Sequence, residues 1–330
     1  MAVHDGSRIP GDGVGFPRPS TGLAVSGSMD LGPVGIWSMG LEAAPLSAAR
    51  EAVAELDELG FSALWIPEAV GKEVMSHAAL LLPAARNMVV ATGIANLWAR
   101  DATAMVNAQR TLTEAFPERF LLGIGVSHTA AVARRGHEVS SPVRATRDYL
   151  QAMDAAFYAG AEPTTPLRRV LAALGPRMVA LAGELTLGAH TYTVPVEHTE
   201  QARQQLGSEP LLIPEQKVVF TTDPDEARRI GRGNVGRLLG LPNYGNNLRR
   251  LGYREEDLAN GGSDRVIDAL VAWGDADRIR GRVREHLDAG ANHVALQVLT
   301  AEPSELPRWV WRELAAATQD LARSPDVQAG

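Results

Sequence analysis

From residue 31 onward, short uninterrupted apolar runs alternate with longer segments in which apolar residues recur every three or four positions. Continuous aliphatic and β-branched runs read as strands buried on both faces, and the periodic segments between them as helices covering a parallel sheet. The clearest pair is Met88 to Asn96 and Arg119 to His128, one helix length apart, each run breaking into Gly and then small polar residues. That is a βαβ unit. Upstream, strand-like Val34 to Trp37 precedes a helix from Leu46 to Leu59, with Ala49, Val53, Leu56 and Leu59 on one face and Gly60 as its stop. A strand over Phe61 to Ile66 and a helix over His77 to Arg86 follow. Asp101 reads as the N-cap of a helix that ends at Phe116, ahead of Pro117.

The same grammar continues through helix Val143 to Tyr158, strand Arg169 to Leu174, helix Pro176 to Leu187, strand Ala189 to Val194, helix Glu197 to Leu206 and strand Lys217 to Thr221. A helix-rich stretch without an evident strand then runs from Asp223 to Trp273 and reads as an insertion. Helix Ala276 to Ala289, stopped by Gly290, strand His293 to Leu299 and a helix from Glu305 to Leu321 close the chain. About eight β/α repeats predict an α/β fold of the (β/α)8 TIM-barrel type, with a helical insertion after strand 7. A doubly wound open sheet is the alternative, but no GxGxxG follows the first strand. Residues 1–30, rich in Gly, Pro and Ser and without periodicity, are expected to form a disordered leader, and residues 31–330 the barrel domain.

Composition narrows the function. With 330 residues, 45% of them hydrophobic, the chain can bury a sizeable core. The absence of Cys excludes disulfides, thiolate chemistry and Cys-based zinc sites, and no metal is expected. A net charge of -7 argues against nucleic acid as partner. Lys72 and Lys217 are the only lysines. No apolar run reaches the length of a membrane span, and the N-terminus lacks a signal-peptide core. A cytoplasmic protein acting on a small-molecule substrate is the expectation, with a homodimer as candidate assembly.

In parallel α/β sheets, ligands sit at the carboxyl ends of the strands, which draws attention to Asn96, Ser127 and His128. Trp37 and Trp98, near strand ends, are candidate walls of a substrate pocket, whereas Trp65 lies inside its strand and reads as core. Gly175-Pro176-Arg177 opens a helix directly after a strand, where free backbone N–H groups favour an anion, although Pro there is also an ordinary helix start. Arg228, Arg229, Arg232 and Arg237 read as a solvated helix face.

The ordered set Gly60-Phe61-Ser62-Ala63-Leu64-Trp65-Ile66-Pro67-Glu68, ATGIAN with Arg100 following, ERFLLGIGVSH, Ala172-Ala173-Leu174-Gly175-Pro176, HTYTVPVEHT and Ala289-Gly290-Ala291-Asn292-His293-Val294 resembles the luciferase-like monooxygenase superfamily, in particular its F420-dependent actinobacterial oxidoreductases. By itself Gly93 reads as a glycine that lets strand and helix approach. The resemblance implies instead a bulge with a non-proline cis peptide at Gly93-Ile94, supporting the deazaflavin ring. It also implies ring contacts from Asn96, Gly125, Val126 and Ser127, and a phosphate near Gly175, Pro176, Arg177 and Thr191. Glu68 matches an acidic residue of the family, while the adjacent family histidine is Ala69 here. His128 stands where related sugar-phosphate dehydrogenases carry a glutamate. It is the candidate acid or base beside Glu68, although a lone loop His also reads as a surface residue. A tyrosine elsewhere, or a substrate needing no strong acid, are the other options. The cofactor implied is F420, with FMN as alternative. The rival functions are an FMN-dependent monooxygenase and a cofactor-free barrel acting as a binding or structural subunit.

Overall fold

Runs that are apolar at every position need cover on both faces, and β1 (Val34–Trp37), β2 (Ala63–Ile66) and β3 (Val89–Thr92) are buried along their whole length. The computed structural model describes residues 29–138, 141–302 and 305–321. Between β1 and β3 run α1 (Gly40–Ala43), α2 (Leu46–Glu58) and α3 (Val74–Leu81). The third stave continues beyond β3 as β4 (Ala95–Asn96), followed by α4 (Ala102–Ala115), β5 (Phe120–Gly125), α5 (Thr129–Arg134), α6 (Pro142–Asp154), β6 (Arg169–Ala172), α7 (Pro176–Leu185), β7 (Gly188–Thr191), α8 (Val196–Leu206) and β8 (Leu211–Val219). Next come α9 (Pro224–Leu239), α10 (Pro242–Arg250), α11 (Glu255–Leu258), α12 (Asp264–Leu270) and β9 (Val271–Trp273). The last elements are α13 (Ala276–Asp288), β10 (Val294–Val298) and α14 (Arg308–Thr318).

All pairings are parallel. The order β10-β1-β2-β3-β5-β6-β7-β8, closed by β8 against β10, is an eight-stave barrel ringed by helices. β4 extends the third stave along β5, and β9 lies outside the ring against the far end of β8. The lumen is filled by Trp37, Trp65, Ala91, Leu121, Val170 and Ile213, while the outward faces pack on the helices: Ala49, Ala52, Val53 and Leu56 form the buried stripe of α2.

Several boundaries differ from the sequence-based expectation, each for a local reason. The seventh stave begins at Leu211 rather than Lys217, because Glu215, Gln216 and Lys217 are buried strand residues whose polarity breaks the apolar pattern. The insertion holds a strand, β9, besides its helices, and packs around Val235, Leu239, Leu248, Ile267 and Leu270. α3 starts at Val74 because the Glu73 carboxylate accepts from the Met75 and Ser76 amides. Met29 is 5% exposed and packs with Leu31 in the lumen cluster, so ordered packing starts before Leu31. Residues 1–28 of the expected leader lie outside the described residues. No helix among the described residues is long and apolar enough to cross a membrane.

Candidate active site

The C-terminal ends of the staves converge on one mouth, and its third stave sets the geometry. The Gly93–Ile94 peptide bond is cis, the geometry the resemblance implied. The Gly93 carbonyl accepts from Trp37 Nε1 at 3.1 Å. A Cβ on Gly93 would stand 2.6 Å from that nitrogen, so the close neighbour enforcing glycine here is Trp37 itself. On the next stave, a Cβ on Gly125 would meet Ile94 Cδ1 at 2.8 Å and the Ala172 methyl at 2.9 Å. The glycine-rich strand end is what lets the bulge and β5 pass. Ser127, just beyond it, adopts φ +62°.

Glu68 and Asn96 are engaged in holding this stave. Glu68 Oε2 accepts from the Asn96 amide at 2.7 Å and from Arg100 Nη1 at 3.0 Å, and its other oxygen is paired with Arg100 Nη2. The side chain is 6% exposed. Its geometry is that of a positioning residue rather than of a free acid, which departs from the expected catalytic role. Asn96 Oδ1 accepts from the Trp98 amide at 2.9 Å. Trp98 in turn donates from Nε1 to the Val126 carbonyl at 3.1 Å, and its ring faces His137, with centroids 5.1 Å apart. The residue therefore lines a flank cleft of about 610 Å³ with Arg100, Ala102 of α4 and Ala145 and Tyr149 of α6, and the structure does not group it with Trp37.

Trp37 pairs instead with Tyr192, at a centroid distance of 5.2 Å. Tyr244, carried by α10 of the insertion, lies 6.4 Å from Tyr192 and 5.6 Å from His128. His128 precedes α5, and its buried Nδ1 has no partner. Burial lowers its pKa, favouring the neutral imidazole that can take a proton. Beneath Tyr192, Lys217 Nζ sits 3.9 Å from the ring centroid and donates to both Glu215 oxygens at 3.0 Å and to Gln297 Oε1 at 3.2 Å. The Tyr192 hydroxyl donates to the same Gln297 oxygen. Burial pushes the Glu215 carboxyl up and the Lys217 ammonium down, and each pulls the other back. With all three ammonium protons directed at acceptors, the pair is ionic. Burial also holds the Tyr192 and Tyr244 hydroxyls well above the usual phenol range.

Gly175 N-caps α7, whose first turn carries Pro176 and the exposed Arg177. Thr191 is fully buried and its Oγ1 lacks a partner. Sequence reasoning missed Tyr192, Glu215, Lys217, Gln297 and Tyr244. Alternation from the inward His190 would have pointed Tyr192 into the lumen, and the rarity of lysine marked Lys217. Nothing local marked Tyr244, which is brought in by the insertion.

A family model described as luciferase-like monooxygenase matches residues 29–293, from the lumen-packed Met29 to the approach of the last stave. The chain belongs to this family. Among solved structures, this luciferase-like chain is similar to an F420-dependent secondary alcohol dehydrogenase in complex with an F420–acetone adduct. The TM-score is 0.70 at 15% identity, covering 88% of this chain and 99% of that one. It is also similar to the coenzyme F420-dependent tetrahydromethanopterin reductase of Methanopyrus kandleri, with TM-score 0.69, 17% identity and coverage of 86% and 96%. A third likeness is to the FMN-bound oxygenating constituent of 3,6-diketocamphane monooxygenase from Pseudomonas putida, with TM-score 0.65, 11% identity and coverage of 89% and 98%. At these identities the likeness is one of fold.

The mouth of this luciferase-like barrel suits a flat heteroaromatic group with an anionic tail. Aromatic faces from Trp37, Tyr192 and Tyr244 lie together there, and the buried Nδ1 of His128, beside Tyr244, is unpartnered. At Gly175 the space a Cβ would take is approached within 4 Å only by Arg250. Among the described residues no His, Asp or Glu cluster could hold a metal ion.

Proposed function

We propose that this luciferase-like protein is an F420-dependent oxidoreductase that moves a hydride between the deazaflavin and a small organic substrate. The observation that supports a phosphate-bearing heteroaromatic cofactor is the juxtaposition of an aromatic-walled stave mouth, built from Trp37, Tyr192 and Tyr244, with the open start of α7 at Gly175, and the resemblance of the ordered motifs favours F420. F420 supplies two-electron hydride chemistry when bound, which makes the reaction a reduction or a dehydrogenation. Gly93, Ile94, Asn96, Gly125, Val126 and Ser127 would carry the ring, and Gly175, Pro176, Arg177 and Thr191 the phosphate. Glu68 and Arg100 fix the strand end on which the ring would rest. His128, with its buried Nδ1 unpartnered and its pKa lowered by burial, would hold or move the substrate proton. Trp37 would face the substrate.

The second reading, an FMN-dependent monooxygenase, is favoured by the FMN complex among the similar structures. Oxygen consumption separates the two. With a panel of neutral ketones and alcohols, turnover is expected under anaerobic conditions with oxidised or reduced F420. Substrate-dependent oxygen uptake with reduced FMN, and none of that anaerobic turnover, would overturn the proposal.

A further inference from the structure

Trp37, Tyr192 and Tyr244 supply flat faces to the mouth, and flat faces alone do not fix a substrate's orientation. The Trp37 indole N–H is already spent on the Gly93 carbonyl. Tyr192, partly buried against the lumen cluster, brings a hydroxyl to the same wall. The sense in which that hydroxyl bonds is set from below.

Alternation from Ile213 and Ala295, both in the lumen cluster, puts Glu215, Lys217 and Gln297 on the lumen face, and Gln297 is the register partner of Lys217. Lys217 Nζ donates to Gln297 at 3.2 Å and to both Glu215 oxygens at 3.0 Å. An ammonium offers donors only, so the Gln297 amide atom facing it is the oxygen, which fixes how the amide is turned. The same oxygen lies 3.0 Å from Tyr192 Oη. The phenol, which burial keeps protonated, is therefore the donor in that contact. Its one proton is committed to Gln297, and its oxygen is left to the mouth as an acceptor. The Gln297 amide nitrogen, on a residue 4% exposed, donates to no group among the described residues. An acceptor and a donor thus stand at the two ends of one hydrogen bond. Glu215 balances the Lys217 charge, so the pair adds no net charge to the mouth.

Resting on the reading of this mouth as the substrate site, we propose that Tyr192 Oη and Gln297 Nε2 form a receptor for a neutral hydroxyl of the substrate. The hydroxyl donates to Tyr192 and accepts from Gln297, and the Lys217–Glu215 pair sets the sense of the receptor. An ether or a ketone leaves the phenol oxygen without a donor, and a carboxylate also brings an uncompensated charge. A hydroxyl proton goes to one acceptor, so the hydroxyl held here is not the one whose proton His128 would take. The substrate therefore carries it in addition to the group that exchanges hydride: a hydroxyketone, or the diol formed from it. In reduction the carbonyl carbon takes the hydride and its oxygen the proton, the reverse removes both, and the held hydroxyl is unchanged.

The test measures, by ligand-observed NMR, the binding of two ketones that differ in one donor, α-hydroxyacetophenone and its methyl ether α-methoxyacetophenone, to the protein alone and with F420 added. A ketone oxygen cannot donate, so only the hydroxyl can meet Tyr192. The wild type should hold the hydroxyketone about 10-fold more tightly than the ether. Tyr192→Phe keeps the ring over Lys217 and leaves Gln297 its ammonium partner. It should cut the ratio to under about 2-fold, chiefly by weakening the hydroxyketone. Lys217→Met combined with Glu215→Gln frees the amide to turn and Tyr192 to donate, so the ratio should fall below about 3-fold with Tyr192 untouched. Equal wild-type affinities, failure of both ketones to bind at millimolar concentration, or a ratio unchanged in either variant overturns the receptor, and Tyr192→Phe alone decides if the double variant does not fold. The preference seen while F420 fails to bind keeps the receptor and refutes the deazaflavin reading; F420 binding without the preference does the reverse.

Discussion

Lys217 is buried completely, and what keeps a charged side chain there is the pair of Glu215 oxygens and Gln297. Removing one partner of such a pair strands the other charge. Lys217→Met is therefore expected to lower stability by ~3–5 kcal/mol, and adding Glu215→Gln should recover at least about half of that loss. Chemical denaturation of the two variants checks it; equal losses in single and double variants would mean that the pair contributes only packing. Thr193 shows what the same carboxylate does for the backbone. It stands at φ +56°, a region β-branched residues rarely adopt, and its amide donates to Glu215 Oε2 at 2.9 Å. His128 belongs to this scale as well. If its imidazole moves the substrate proton, His128→Ala should slow the chemical step by ~10²–10⁴-fold in single turnover, with cofactor affinity little changed. Unchanged turnover and binding would make it a loop residue. The rule that ligands sit at strand ends drew attention to Asn96, Ser127 and His128, and the helix start to Gly175, whereas the cis peptide at Gly93 was reached only through the resemblance. Tyr192, Lys217 and Gln297 were reached by neither, because what makes them a cluster is the closing of β7, β8 and β10 around one lumen.

At the level of elements, helices were the easiest part to read, since their buried stripes repeat and their ends carry chemistry. Asp101 caps α4 through Ala104 N, as its place before the apolar repeat suggested. The joints between elements were not legible. Asp57, near the end of α2, accepts from the amides of Arg86, Asn87 and Met88 and so holds the chain entering β3. Asp57→Ala should cost about 1–3 kcal/mol and speed hydrogen exchange at those three amides selectively; protection unchanged there would show that the joint is held by packing alone. The seventh stave was misread for the converse reason. A strand crossing from the core into a polar mouth loses its apolar signature halfway, and β8 does so at Glu215. β9 was missed because three residues beside a long helix carry too little pattern.

For the whole molecule, the buried histidines dominate the response to acid. His190 and His293 are held down to about 4 and His286 to about 3 by burial, from an ordinary value of 6.5. The unfolded chain thus binds protons that the folded one refuses, so stability is complete above about pH 6.5 and falls as pH drops from 6.5 toward 4. Melting temperature against pH should show that decline starting above the range in which carboxylates titrate, and a flat profile down to pH 4.5 would contradict it. The barrel itself was legible from alternation alone, because eight repeats of one unit leave few other solutions. The cofactor was legible only through resemblance, since a phosphate-bearing heteroaromatic of either kind suits aromatic walls beside a helix start. The measurement that decides is an equilibrium titration of the apoprotein with F420, FMN and FAD. The account predicts F420 bound at least ~10-fold more tightly than FMN, about 1.4 kcal/mol; equal or reversed affinities would contradict it.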